Sequence, residues 1–182
     1  ICPVEAVTMV EQNVGDLYIS KTKTGGDMVH ARMGVGAENS GKLVAKVKKE
    51  AGRIAKENNI KYVLVDGSPG VGCPVISSLS GASYVVLVTE PTVSGLHDLK
   101  RIHELVQRFK IKSGCIINKF DINPKVTKDI KKYLKKEGIY HIASLPYDEN
   151  FTKAMTFGKT IVEYDNGNLK KAVEECWKKI LN

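Results

Sequence analysis

Lys61–Pro74, KYVLVDGSPGVGCP, holds the residues best suited to chemistry. Tyr62, Val63, Leu64 and Val65 form an apolar run rich in β-branched residues, with no polar alternation. Such a run predicts a strand buried on both faces, as in a parallel sheet. It stops at Asp66, and Gly67-Ser68-Pro69-Gly70 follows, where glycine and proline end regular structure and free the backbone amides. A carboxylate at the carboxyl end of a buried strand can organise a magnesium ion through water. Amides in the turn after it can meet a terminal phosphate.

Other polar turns follow apolar runs in the same way. Tyr84–Thr89 ends in Glu90-Pro91-Thr92, Lys112–Asn118 runs into Lys119-Phe120-Asp121, and Ile139–Ala143 is followed by Leu145-Pro146-Tyr147-Asp148. In an open α/β sheet, ligands lie outside the carboxyl ends of strands, so these turns would converge on one edge. Helical stripes alternate with the strands. Leu43, Val44, Val47, Ala51, Ile54 and Ala55 predict a helix over 40–58, capped by Asn39 or Ser40. Leu96, Leu99, Ile102, Val106 and Phe109 predict a second, capped by Ser94. Val126, Ile130, Tyr133 and Leu134 predict a third, with Pro124 in its first turn. Asp148 caps a helix carrying Phe151, Ala154 and Met155, and Leu169–Leu181 forms the last one. Val7–Val10, Leu17–Thr22 and Met28–Met33 predict a small β meander before all of this. The expected class is α/β, a doubly wound and mostly parallel sheet.

These residues carry a family resemblance. Asp66-Gly67-Ser68-Pro69-Gly70-Val71-Gly72-Cys73-Pro74 resembles the Walker B and switch II segment of MinD/ParA-type P-loop ATPases. Thr89–Asp98 and the chain as a whole resemble the subgroup with a ferredoxin-like insert, commonly labelled MinD-superfamily or cobyrinic acid a,c-diamide synthase-like. The cobyrinic acid label implies an amidotransferase, and no glutaminase nucleophile arrangement is visible. The resemblance covers the part of the family after the Walker A loop. Gly158-Lys159-Thr160 imitates the end of such a loop, but Lys153 stands where glycine is needed and no apolar strand precedes it. The resemblance therefore places the phosphate loop before Ile1. It divides the chain into residues 1–33, the end of the insert plus the meander, and residues 34–182, the nucleotide-binding domain.

The resemblance implies ATP and Mg²⁺ as ligands. Asp66 would be catalytic, organising Mg²⁺ through water. Gly67, Ser68, Pro69, Gly70, Glu90, Pro91, Asn118, Lys119, Pro146, Tyr147 and Asp148 would contact nucleotide. Asn118 and the Pro146–Asp148 turn would bracket adenine. Asn118-Lys119-Phe120-Asp121 also fits the Asn-Lys-x-Asp pattern with which GTPases read guanine, so a GTPase is the alternative. On the adenine reading Asp121 helps cap the following helix instead, and its loss leaves ATP affinity nearly unchanged. Glu38-Asn39-Ser40-Gly41 resembles a turn near the partner subunit of a homodimer, with a plain helix start as the competing reading.

Cys2-Pro3 resembles the end of a bacterial ferredoxin motif, which implies a [4Fe-4S] cluster in a complete chain and a redox or iron–sulfur partner. The three companion cysteines of that motif are absent here. Cys73, between a glycine and a proline, could hold a metal or a bridging cluster across a two-fold axis, or simply pack beside the switch. A non-hydrolytic metal or iron–sulfur scaffold is therefore a further alternative.

Composition agrees with a globular domain: 42% apolar residues, 26% charged, and four cysteines without pairing rhythm. The cysteine usage and the lack of a signal peptide or apolar membrane span point to the cytoplasm. The net charge of +8 concentrates on one helix, where Lys125, Lys128, Lys131, Lys132, Lys135 and Lys136 point outward. That face reads as solvated surface, with a polyanion or acidic-partner surface as the alternative; nucleic acid is not the expected partner.

Overall fold

The computed structural model describes residues 15–34 and 41–181. They form two compact units that divide between Ser78 and Leu79.

In the first unit, β1 (Gly15–Lys21) and β2 (Asp27–Met33) pair antiparallel, with Gly15 opposite Met33 and Lys21 opposite Asp27. Thr22 N–H donates to Gly26 O (2.8 Å) and Gly25 N–H to Thr22 O (3.0 Å), closing the hairpin. Gly25 sits at φ +85°, a left-handed conformation that favours glycine. Val7–Val10 lies outside the described residues, so two strands of the expected meander are seen. The helix α1 (Gly41–Glu57) packs on β2 and buries Ile54 and Ala55, as its stripe requires. Its expected caps, Asn39 and Ser40, also lie outside the described residues. The short helix α2 (Cys73–Leu79) is tied to α1 by Lys48, whose Nζ donates to Ser77 O (3.1 Å) and Ser78 O (2.6 Å). A cation there satisfies carbonyls that a helix end leaves without intrahelical partners.

One expected strand does not form. Tyr62–Val65 forms no strand among the described residues, and Val63 is 47% and Leu64 84% exposed. An apolar run becomes a buried strand only when a neighbour takes up its amides and carbonyls. None of the described strands does so.

The second unit is built on a parallel sheet in the order β3-β4-β5: β3 (Tyr84–Thr89), β4 (Lys112–Asn118) and β5 (Tyr140–Leu145). The last strand begins one residue later and ends two residues later than its apolar run indicates. Ile139 itself is buried, its N–H donating to Leu134 O (2.9 Å) as the preceding helix ends. Crossovers run through α3 (Val93–Arg108) and α4 (Pro124–Glu137); α5 (Glu149–Thr156), α6 (Ile161–Tyr164) and α7 (Asn168–Leu181) follow. Leu87, Cys115, Ile117 and Ile142 from the sheet and Leu99, Val106, Ile130 and Leu134 from the helices are buried. Burial pushes the Cys115 thiol up to about 12, so it acts as a small apolar group. A smaller cluster of Ala154, Ile161 and Leu169 holds the last three helices.

Two expected helix caps are corrected. Thr92, not Ser94, caps α3: its Oγ1 accepts from Gly95 N–H (2.9 Å), while Ser94 falls inside the helix. Asn123, not Asp121, caps α4, its Oδ1 accepting from Val126 N–H (3.1 Å). Met155 lies on the solvent side of α5, and Ala154 takes the buried place. Asp148 caps α5 as expected, accepting from Asn150 N–H (2.8 Å).

Candidate functional site

Because β3, β4 and β5 run parallel, the turns after them lie at one edge of the second unit. Glu90, Asn118-Lys119 and Pro146-Tyr147 are thereby brought together from separate stretches of chain. Lys119 Nζ pairs with Glu90 Oε1 at 2.6 Å, joining the ends of β3 and β4. Phe120 N–H donates to Leu145 O (3.1 Å), joining the ends of β4 and β5. Asp121 Oδ1 accepts from Tyr147 N–H (2.8 Å), fixing the last turn to the middle one. Thr127 Oγ1 donates to Phe120 O (2.6 Å), so the first turn of α4 braces the same loop.

The local backbone follows from these ties. Lys119 adopts φ +52°, unusual for a residue with a side chain, at the point where the chain leaves β4 and turns toward α4. Asn118 Oδ1 accepts from Lys119 N–H (3.1 Å), and its side-chain Nδ2 donates to no acceptor among the described residues. On the β3 side, a Cβ on Gly95 would collide with Glu90 O, so glycine lets α3 start hard against the strand end. Thr89 Oγ1 donates to Gly95 O (3.0 Å) across the same junction. Pro91 is buried, whereas Tyr147 is 55% exposed and presents its ring at the edge.

Such an edge can hold a planar heterocycle. Asn118 supplies donors for ring acceptors, backbone groups near Pro146 supply further polar contacts, and Tyr147 supplies an aromatic surface. The tie made by Asp121 is the feature that sequence reasoning missed. Its motif position pointed to base reading or helix capping; the 26-residue separation of its partner hid the third role.

The remaining expected residues lie in the first unit. Asp66 and Gly67 are exposed, Ser68 is half-buried, and the chain bends at Pro69-Gly70 with Gly70 at φ +88°. The Gly72 carbonyl accepts from Val75 N–H (3.0 Å) and Ile76 N–H (3.1 Å), starting α2. Cys73 is a free, exposed thiol at that start. Among the described residues no group of three or more His, Cys, Asp or Glu side chains could hold a metal ion. Cys2 lies outside the described residues.

Outside the strand-end turns, His97 is exposed beside Asp98. The α4 lysines are all exposed, with ion pairs from Lys132 to Asp129 (3.6 Å) and from Lys136 to Glu137 (3.4 Å). No described helix is long and apolar enough to cross a membrane.

Comparison with solved structures gives the same fold. The chain is similar to the cell division ATPase MinD of Pyrococcus furiosus (TM-score 0.61, 20% identity, 80% of this chain and 59% of that one). It is similar to the MinD cell division protein of Aquifex aeolicus (TM-score 0.65, 20% identity, 90% and 68%). A third, the septum site-determining protein MinD of Pyrococcus horikoshii, was solved with Mg-ADP (TM-score 0.61, 17% identity, 79% and 57%). The α/β class expected from the alternating pattern is thus the observed one. By sequence the chain is similar to two uncharacterised proteins of Methanocaldococcus jannaschii. One is 26% identical over 93% of this chain and 56% of its own length, the other 27% identical over 90% and 54%. The chain spans about half the length of these curated relatives. No family model matches.

Proposed function

We propose that the chain carries the base-recognition edge and the magnesium-linked switch of a nucleotide-binding ATPase of the MinD/ParA type. The observation that carries this reading is the linked set of strand-end turns, in which Asp121 fixes the Tyr147 backbone beside Asn118. The likeness of fold to MinD proteins, one of them solved with Mg-ADP, supports it.

Asn118 would meet the amino group and a ring nitrogen of adenine, and Tyr147 would pack on the ring. Lys119, Glu90 and Pro91 would shape the rim, while Asp148 would hold the turn through its cap on α5. Asp66 would orient the water shell of Mg²⁺, and the Gly67–Gly70 turn would respond to the terminal phosphate. Magnesium, when bound, neutralises charge on the phosphate oxygens during hydrolysis. The adenine reading is favoured over the guanine one because one Asp121 oxygen is already committed to Tyr147 N–H. A guanine reader needs that carboxylate for the base.

Competition binding with the full chain tests the base. ATP is expected to displace a fluorescent nucleotide more strongly than GTP, and Asn118→Ala to weaken ATP by about 1–3 kcal/mol through an unpaired base edge. GTP binding about tenfold more tightly than ATP, a difference near 1.4 kcal/mol, would overturn the adenine assignment. Hydrolysis is expected to need Mg²⁺ and to fall strongly in Asp66→Asn; undiminished turnover would remove Asp66 from the mechanism.

The finer reading is that the full protein works as a homodimeric switch coupled to iron–sulfur or electron-transfer chemistry. It rests on Cys2-Pro3 and on the exposed thiol of Cys73. Anaerobic reconstitution decides the role of Cys73: cluster loading of Cys73→Ala equal to wild type excludes it as a ligand.

A further inference from the structure

The amino edge of the sheet, opposite the strand-end turns, holds a cleft of about 720 Å³. At about 3.3 Å per residue, strands of this length separate the two edges by roughly 20 Å. The first residue of each strand, Tyr84, Lys112 and Tyr140, lines the cleft, and Ile139, Lys179 and Ile180 complete much of its wall. None of its described lining residues is acidic.

Its chemistry is divided. Ile111, Ile139 and Ile180 present apolar surface, and the tyrosines add ring faces with hydroxyl ends. The buried His103 closes one side and is held by Tyr133, whose hydroxyl is 3.1 Å from its Nδ1. Burial pushes His103 below the ordinary histidine range, so it is a neutral hydrogen-bonding wall at pH 7. Two cations lie at the rim. Lys179 is anchored, donating to Ile142 O (3.0 Å). Lys112 is exposed at the start of β4 and forms no ion pair among the described residues.

We propose that this cleft is a second ligand site, for a small amphipathic monoanion: an aromatic or aliphatic body bearing one carboxylate. The apolar wall and tyrosine rings would take the body, and Lys112 would face the carboxylate. A compact phosphate fits poorly. The described lining has no arginine fork, and α4 ends here with its carboxyl terminus at Gly138. The partial negative charge of that end opposes a dense dianion. A single carboxylate beside a lysine is tolerated, and most of the affinity would come from the apolar body.

The test is a ¹⁵N–¹H NMR titration of the full chain with 4-phenylbutyrate, 4-phenylbutanol and inorganic phosphate as separate probes. Phenylbutyrate is expected to give saturable shifts at the Ser113, Tyr140 and Ile180 amides. Lys112→Gln, an exposed change that leaves the core untouched, should weaken phenylbutyrate about threefold, the scale of one exposed ion pair, and leave phenylbutanol unchanged. The site is overturned if phenylbutyrate produces no saturable shift at these amides at about 10 mM, where even millimolar affinity would saturate them. The monoanion assignment is overturned if phosphate shifts the same amides as strongly. It is also overturned if Lys112→Gln binds phenylbutyrate as well as wild type does.

Discussion

At the scale of single residues, Asp121 changes most between sequence and structure. The Asn-Lys-x-Asp spacing makes it a base reader or a helix cap. Asn123 takes the cap, and Asp121 Oδ1 instead holds the Tyr147 amide. This alters the expected effect of removing it. On the capping reading, Asp121→Ala leaves ATP affinity nearly unchanged. With the observed tie, the alanine variant frees the Tyr147 turn and leaves one backbone donor to water. The loss of such a bond costs about 1 kcal/mol, so ATP should bind roughly fivefold more weakly. Asp121→Asn keeps a carbonyl oxygen at the same place and should recover most of the affinity. Isothermal titration of both variants checks it; equal affinity of wild type and Asp121→Ala would show that the tie does not serve nucleotide binding.

At the scale of elements, the third turn of α3 carries a histidine where its apolar stripe called for no polar residue. His103 is only 4% exposed, stands edge-on to Tyr133 of α4, and links the two crossover helices. The sequence stripe through Leu99 and Val106 passes this position, so its burial was legible, but its polar partner was 30 residues away. Burial lowers its affinity for a proton, while Glu137 and Glu104 act the other way more weakly. His141 is lowered as well, first by burial and then by Lys131. The sign follows directly. Both groups bind protons more readily in the unfolded chain, where their ordinary value is 6.5, so stability is complete above that pH and falls as pH drops below it. Urea midpoints are expected to decline between pH 7.5 and 5.5. His103→Gln and His141→Gln should each flatten the decline, and the double variant should nearly remove it. An unchanged slope in the double variant would assign the acid sensitivity to other groups.

At the scale of the whole molecule, periodicity exposed the parallel unit almost completely. Tyr84–Thr89 and Lys112–Asn118 are strands with the bounds their apolar runs mark, although Val88 of β3 is exposed. The strand-end turns were legible because polar residues interrupt apolar runs at one end only. What the sequence could not supply was partnership. The ties of Lys119 to Glu90 and of Asp121 to Tyr147 depend on which strands are neighbours, and pattern alone does not encode that. Tyr62–Val65 shows the same limit most sharply. Its composition is as strand-like as that of β3, yet it has no ladder among the described residues, and its apolar side chains face outward. Exposed apolar surface on a strand-like segment is a pairing template, so this segment has a strong drive to acquire a neighbour. Hydrogen exchange distinguishes the two states. For the 182-residue chain alone, the amides of Tyr62–Val65 should exchange far faster than those of Cys115–Ile117, which lie in the central strand β4. Val63→Lys and Leu64→Lys should then reduce self-association, measured by light scattering, without altering protection in β4. Slow exchange at Tyr62–Val65, equal to that of β4, would instead mean that the segment is already paired, and the lysine variants would then destabilise the fold rather than improve its solubility.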